Sequence, residues 1–110
     1  MQGESDSKNM EHTDPYIDRY AALLKDVREA FPTYFDDSCK YVDAGVSEVW
    51  KNHLIMNANK KAFAEKNGHV YIDTIAEGLT TRNEPVEKPD TAHYDCFSTV
   101  RLGELFAENI

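Results

Sequence analysis

The sequence has only two cysteines among its 110 residues, Cys39 and Cys96. They are far apart and match neither the paired spacing of a zinc site nor that of a redox motif. Two such cysteines exclude a disulfide-rich secreted scaffold and predict reduced thiols that pack as small apolar side chains. A single disulfide between them is the alternative.

Long apolar runs are also missing, since no stretch approaches the roughly 18 residues that a membrane-spanning helix needs. The first 13 residues are polar and acidic and lack the apolar segment of a secretory signal. We therefore expect a cytoplasmic protein that has no membrane among its partners.

The sequence lacks the common catalytic signatures as well. It contains no glycine-rich phosphate loop, zinc-type Cys/His spacing, nucleophile elbow or calcium loop. This argues against the common enzyme classes and predicts neither a cofactor nor a bound metal. Sites assembled from residues that are distant in sequence stay open.

What the sequence has in excess is acid: 20 Asp and Glu against 12 Lys and Arg, for a formal charge of −8 at pH 7. An acidic protein is repelled by a phosphate backbone and attracted to basic surfaces. The charge is uneven, because residues 46–69 carry +2 while residues 1–45 and 70–110 carry −5 each. Direct nucleic-acid binding is therefore disfavoured.

Apolar residues make up 41% of the chain and aromatic residues 11%, which is enough for a folded core. A chain of this length fills one core rather than two. We predict a disordered acidic and polar tail over residues 1–13 and a single globular domain over residues 14–110.

Helical periodicity dominates the first half of that domain. Asp14 and Pro15 suit a helix start, and an apolar stripe then runs to Phe31, where Pro32 follows. The predicted helices cover residues 14–31, 34–44 and 47–67.

After Gly68 the apolar residues alternate as they do in strands, and a short helix closes the chain. Helices followed by strands indicate an α+β fold, with the helices packed on a small two- or three-stranded antiparallel sheet. A mostly α fold, with a longer helix over residues 97–109, is the alternative. The predicted strands cover residues 69–76, 79–82 and 93–102.

The predicted sheet would bring histidines and carboxylates together. His69 and Asp73 share a face of one strand, and His93 and Asp95 share a face of another. Imidazole beside carboxylate is the arrangement that a general base or a metal site uses. A solvent-exposed polar sheet face without any chemistry gives the same pattern.

Carboxylate clusters and an aromatic anchor favour a protein-binding module that occupies a basic surface of a protein partner. Bacterial and phage inhibitors, immunity proteins and nucleic-acid mimics use this chemistry. The predicted binding residues are Asp36, Asp37, Asp43, Glu84, Glu87 and Asp90, with Trp50 or Tyr34 as the anchor.

Two other functions are alternatives to this protein-binding module. One is a homo-oligomeric structural or assembly protein, whose amphipathic helices and edge strands are buried between copies. The other is a small metal-dependent or general-base enzyme that uses the His/Asp sheet face. The sequence resembles no family closely enough to transfer residue roles.

Overall fold

The computed structural model describes residues 1–88 and 90–110. This part of the chain forms a 3₁₀ turn, four α-helices and two short strands. The 3₁₀ turn is Ser5–Lys8, the helices are α1 (Met10–Thr13), α2 (Tyr16–Ala30), α3 (His53–Asn67) and α4 (Cys96–Glu108), and the strands are β1 (Val42–Ala44) and β2 (Val70–Ile72).

The two strands form a parallel pair, with Val42 opposite Val70 and Ala44 opposite Ile72. Helix α3 lies between them in the chain, so the three elements make a β-α-β unit. The predicted α+β class is confirmed, but the predicted antiparallel sheet is wrong. Parallel strands need a long crossover connection, and α3 provides it.

Helices α2 and α3 lie within the predicted ranges 14–31 and 47–67. Helix α2 packs against α3, and α3 in turn contacts β2. Helix α3 ends at Gly68, which adopts a left-handed conformation with φ of 66°. Glycine reaches this conformation without the steric cost that a Cβ adds.

The predicted helix over residues 34–44 is wrong, because turns and then β1 occupy this range. The Asp36 carboxylate accepts a hydrogen bond of 2.8 Å from the backbone N–H of Ser38. Such local side-chain bonds compete with helical backbone bonds. The chain then pairs with β2, where the N–H of Val70 donates to the carbonyl of Tyr41.

The predicted strand over residues 93–102 is also wrong, because helix α4 covers most of this range. Asp95 begins the helix by accepting a 2.9 Å hydrogen bond from the backbone N–H of Ser98. The helix proposed in the mostly α alternative corresponds to α4. Cys96 consequently lies exposed on its first turn rather than facing inward. Residues 79–82 are irregular, with a bend at 81–82, instead of a strand.

The first 13 residues, for which the sequence predicts disorder, are packed against the rest of the protein. Ser7 and Thr13 are fully buried. The backbone N–H of Asn52 donates to the Ser7 carbonyl at 2.9 Å, and the Lys60 ammonium donates to the Gln2 carbonyl at 2.8 Å. Burial of the Ser7 and Thr13 hydroxyls costs little free energy, because both hydroxyls have hydrogen-bond partners nearby in the sequence.

The core is made of two small apolar clusters. One joins the sheet to α4 through Ile72 and Leu105, and the other joins α2 to α3 through Tyr16 and Met56. Among the described residues, no helix combines the length and the apolar character that crossing a membrane requires.

Candidate functional site

The candidate site is built on Asp90 and His93, which form a hydrogen-bonded dyad in the loop before α4. The Asp90 Oδ2 and the His93 Nδ1 lie 2.6 Å apart. Both side chains are open to solvent, with exposures of 62% and 66%. The second carboxylate oxygen accepts a 2.8 Å hydrogen bond from the backbone N–H of Ala92. The loop therefore fixes the carboxylate, and the carboxylate fixes the imidazole.

Each member of the dyad changes the other's protonation. The hydrogen bond to Asp90, together with its negative charge, raises the pKa of His93 above the ordinary value. The same hydrogen bond lowers the pKa of Asp90. When the neutral ring donates from Nδ1, its Nε2 carries the lone pair, and no described residue occupies that nitrogen with a hydrogen bond. The dyad thus presents an oriented proton acceptor to solvent.

Hydrogen bonds on its C-terminal side hold the dyad loop in place. The Tyr94 hydroxyl donates to the Gly45 carbonyl at 3.2 Å. The backbone N–H of Asp95 donates to the Thr80 carbonyl at 3.0 Å, and the Asp95 carboxylate accepts from the N–H of Asn83 at 3.0 Å. Burial raises the pKa of Tyr94 to about 12, so its hydroxyl keeps the proton that it donates.

Gly45 connects this loop to the sheet. It follows β1 directly, and its carbonyl also accepts a 3.0 Å hydrogen bond from the Thr74 hydroxyl. A Cβ at this position would lie 2.6 Å from the Tyr71 hydroxyl oxygen, so only glycine fits without displacing the ring. Tyr94 therefore ties the dyad loop to the carboxyl end of a parallel strand, which is where open α/β sheets place their sites.

Glu4 is a further charged group near the dyad. Its negative charge contributes to the raised pKa of His93 and of Tyr94, after the larger contributions of Asp90 and of burial. The sequence does not point to Glu4, because residues 1–13 are predicted to form a disordered tail. No motif in the sequence links position 4 to position 93.

A small pocket of about 220 Å³ lies against the dyad loop. Its lining includes Thr91 and Ala92, the two residues between Asp90 and His93, and Trp50 from the turn before α3. The Trp50 indole N–H is buried without a hydrogen-bond partner. The residues that line this pocket are mostly apolar.

The structure gives the four residues of the predicted His/Asp face separate roles. His93 pairs with Asp90 rather than with Asp95, which is buried at the start of α4. Burial opposes ionisation of Asp95, but hydrogen bonds from the backbone of Ser98 and Asn83 lower its pKa overall. Asp73 accepts from the backbone N–H of Ala76 in a turn.

His69, the remaining member of that predicted face, lies in a cleft with Tyr41 and Arg28. Its ring centroid is 5.0 Å from that of Tyr41. Burial and then the Arg28 charge lower the pKa of His69. This histidine lies at the start of β2 and therefore belongs to a different surface feature from the dyad.

Three of the six predicted partner-binding carboxylates make contacts within the protein, besides the Asp36–Ser38 hydrogen bond and the Asp37–Arg28 pair at 3.5 Å. Asp43 pairs with the Lys60 ammonium at 3.2 Å. Glu84 accepts from the backbone N–H of Cys96 at 2.7 Å, and Asp90 belongs to the dyad. These acids contribute to the fold or to the candidate site.

The other predicted binding residues lie at the surface. Asp36, Asp37 and Glu87 are exposed. Tyr34 is 77% exposed, whereas Trp50 is half-buried under the Lys8 ammonium, which is 5.6 Å from the ring centroid. Tyr34 therefore fits the role of an aromatic anchor better than Trp50 does.

The described residues hold no group of three or more His, Cys, Asp or Glu side chains placed to bind a metal ion. Comparison with protein-family models, with curated proteins and with solved structures gives no match.

Proposed function

We propose that this protein catalyses a hydrolytic reaction in which His93 acts as a general base. In this role the His93 Nε2 removes a proton from a water molecule, and the water oxygen attacks the carbonyl carbon of an ester. The ester C–O bond then breaks, and the imidazolium returns the proton to the departing alkoxide, so that the products are a carboxylic acid and an alcohol. The observation that carries the role is the 2.6 Å contact between the Asp90 Oδ2 and the His93 Nδ1. A carboxylate in this position orients the imidazole and stabilises the imidazolium that forms.

The surroundings of the dyad support this reaction class. The hydrogen bond from Tyr94 to Gly45 anchors the loop, so the imidazole is positioned by packed structure rather than by a free chain. The 220 Å³ pocket beside Thr91 and Ala92 is large enough for a short acyl or alkyl group. A substrate that places this group in the pocket would bring its reacting carbon close to His93.

An NMR pH titration of His93 tests the dyad directly. The hydrogen bond and the charge of Asp90 raise the pKa of His93 above about 6.5, the ordinary histidine value. In the Asp90→Asn variant the charge is removed, so we expect the His93 pKa to fall toward that ordinary value. The signals of His12, which lies in α1, serve as the reference. Superimposable His93 curves in the two proteins would show that Asp90 does not orient this ring.

A second function, binding of a basic protein surface, is favoured by the exposed loop after α2. Tyr34 projects into solvent there, and the Asp37 side chain is fully exposed. An exposed aromatic ring beside carboxylates is typical of an electrostatically steered contact.

This second function is tested by retention on immobilised polylysine. We expect Asp36→Lys with Asp37→Lys to elute at lower salt than a matched double variant, Asp18→Lys with Asp26→Lys. Both variants change the net charge equally, and the control residues are exposed acids on α2. Equal elution of the two variants would mean that net charge alone governs binding, and the loop would lose its proposed role.

A further inference from the structure

We propose that a cleft between α2 and the turn joining α3 to β2 binds a small organic anion, namely a carboxylate attached to an apolar body. The cleft has a volume of about 380 Å³ and is lined by Arg28, Tyr41 and His69. A second cavity of about 270 Å³ shares Arg28 and His69 with it. The two cavities therefore share the cationic side chain of Arg28. None of the dyad residues lines either cavity.

Arg28 supplies the anion-binding group. Its guanidinium donates to the Cys39 carbonyl at 3.2 Å and lies 5.6 Å from the centroid of the Tyr41 ring. These contacts hold the side chain in the cleft, where it is only 31% exposed. The one carboxylate within ion-pair distance of it among the described residues is Asp37, at 3.5 Å, and that side chain is fully exposed. Because such a solvent-exposed ion pair is weak, the guanidinium retains donors for a ligand.

The local charge is also suited to an anion. The residues lining the two cavities sum to a formal charge of +1, whereas the whole chain carries −8. A local excess of positive charge attracts anions. The charged residues that line the two cavities are Lys25, Arg28, Lys40, Glu29 and Asp37.

Two residues that line the cleft each have a polar side-chain atom without a hydrogen-bond partner. The Tyr41 hydroxyl and the His69 Nδ1 are buried and carry no hydrogen bond. The nearby Tyr41 hydroxyl raises the pKa of Arg28, yet their approach does not have hydrogen-bond geometry. Buried polar groups are nearly always paired, so unpaired ones in a cavity wall call for a polar guest. A carboxylate seated on Arg28 provides acceptor oxygens next to these two side chains.

The rest of the cleft lining is largely apolar, and it indicates what kind of group the carboxylate should be attached to. Ala21 and Leu24 from α2 face Phe63 from α3 across the cleft. The Phe63 and His69 ring centroids are 6.1 Å apart, so the apolar wall adjoins the polar one. A benzoate-sized molecule satisfies both walls, with its ring against Phe63 and its carboxylate toward Arg28.

Benzoate, titrated into the full chain and followed by the NMR signals of His69 and Asn67, tests this site. We expect saturable shifts of both signals, and we expect benzamide, the neutral analogue of the same shape, to bind at least about tenfold more weakly. Acetate and inorganic phosphate complete the series: a preference for benzoate over both supports the apolar wall. Equal affinity for benzoate and benzamide, or shifts that do not saturate, would overturn the proposal.

Two matched variants locate the site on the guanidinium. Arg28→Gln should weaken benzoate binding by at least about tenfold, because it removes the charge and the guanidinium donors while keeping a polar side chain. Arg19→Gln, which alters an exposed arginine on the same helix that does not line the cleft, should bind benzoate as the unmodified protein does. Equal binding by all three proteins would also contradict the site. His93→Gln should bind benzoate normally, which separates this cleft from the dyad.

Discussion

Replacing Lys60 with alanine is expected to lower the free energy of unfolding by about 3–5 kcal/mol, the effect of breaking a buried ion pair. The Lys60 side chain has no exposed surface, and that of Asp43 is only 13% exposed. The Lys60 ammonium also donates to the Ala44 carbonyl at 2.6 Å and to the Gln2 carbonyl at 2.8 Å. Alanine would leave the Asp43 charge and two carbonyl oxygens without their donor. It would also leave a cavity in the protein interior, in the space that the buried Lys60 side chain fills.

The loss is measured by urea denaturation against two other proteins. Lys61→Ala changes an exposed lysine next in sequence and should stay within about 0.5 kcal/mol of the unmodified protein. The double variant Lys60→Met with Asp43→Asn removes both charges and should recover a large part of the stability, because isosteric replacement of a buried pair is often neutral. A Lys60→Ala protein as stable as the Lys61→Ala protein would show that the ion pair contributes nothing.

Replacing His93 with glutamine is expected to reduce hydrolysis of an activated ester such as p-nitrophenyl acetate by at least about 100-fold, the usual contribution of a general base. Asp90→Asn should reduce the rate as well, because the ring loses its orienting carboxylate. The rate of the unmodified protein should rise with pH through the His93 pKa, since only the neutral ring accepts a proton. Asp90→Asn should move this rise to lower pH, because the Asp90 charge raises that pKa.

The control for this prediction is His12→Gln, since an exposed imidazole in α1 can also promote hydrolysis of an activated ester. We expect the His12→Gln protein to retain the full rate. Equal losses in the two variants would assign the activity to free imidazole and would remove the case for a dyad. Because both dyad side chains are exposed, the His93→Gln protein should remain as stable as the unmodified one.

The long helices could be predicted from the sequence because their patterns are strong. An apolar stripe and a proline boundary define α2, and an Asn-Gly pair ends α3. Strand β2 lies within the predicted strand over residues 69–76 but is shorter than it. Strand β1 falls inside the predicted helix over residues 34–44, because its three residues are too few for alternation to register. The alternation in residues 93–102 predicts a strand, but the structure has a helix there. The Asp95 side chain caps the start of this helix by accepting a hydrogen bond from the backbone N–H of Ser98.

The candidate site was predicted only in parts. His93 and Asp90 were both singled out, but in different hypotheses, because a strand over residues 93–102 pairs His93 with Asp95. A turn brings residues three apart into contact, as in Asp90 and His93, and this contact leaves no periodic signal in the sequence. Glu4 comes near the dyad only because residues 1–13 pack against the rest of the protein. This packing depends on long-range hydrogen bonds such as that from Lys60 to Gln2.

Trp50 is the only tryptophan in the chain, and its position gives it a practical value. The Lys8 ammonium of the N-terminal segment lies over one part of its ring, and the pocket beside the dyad loop borders another. Its emission spectrum therefore reports on two events from one fluorophore, the undocking of the N-terminal segment and the filling of the pocket. Trp50 is therefore an intrinsic fluorescent probe for the dyad loop, the region where we place the chemistry of this protein.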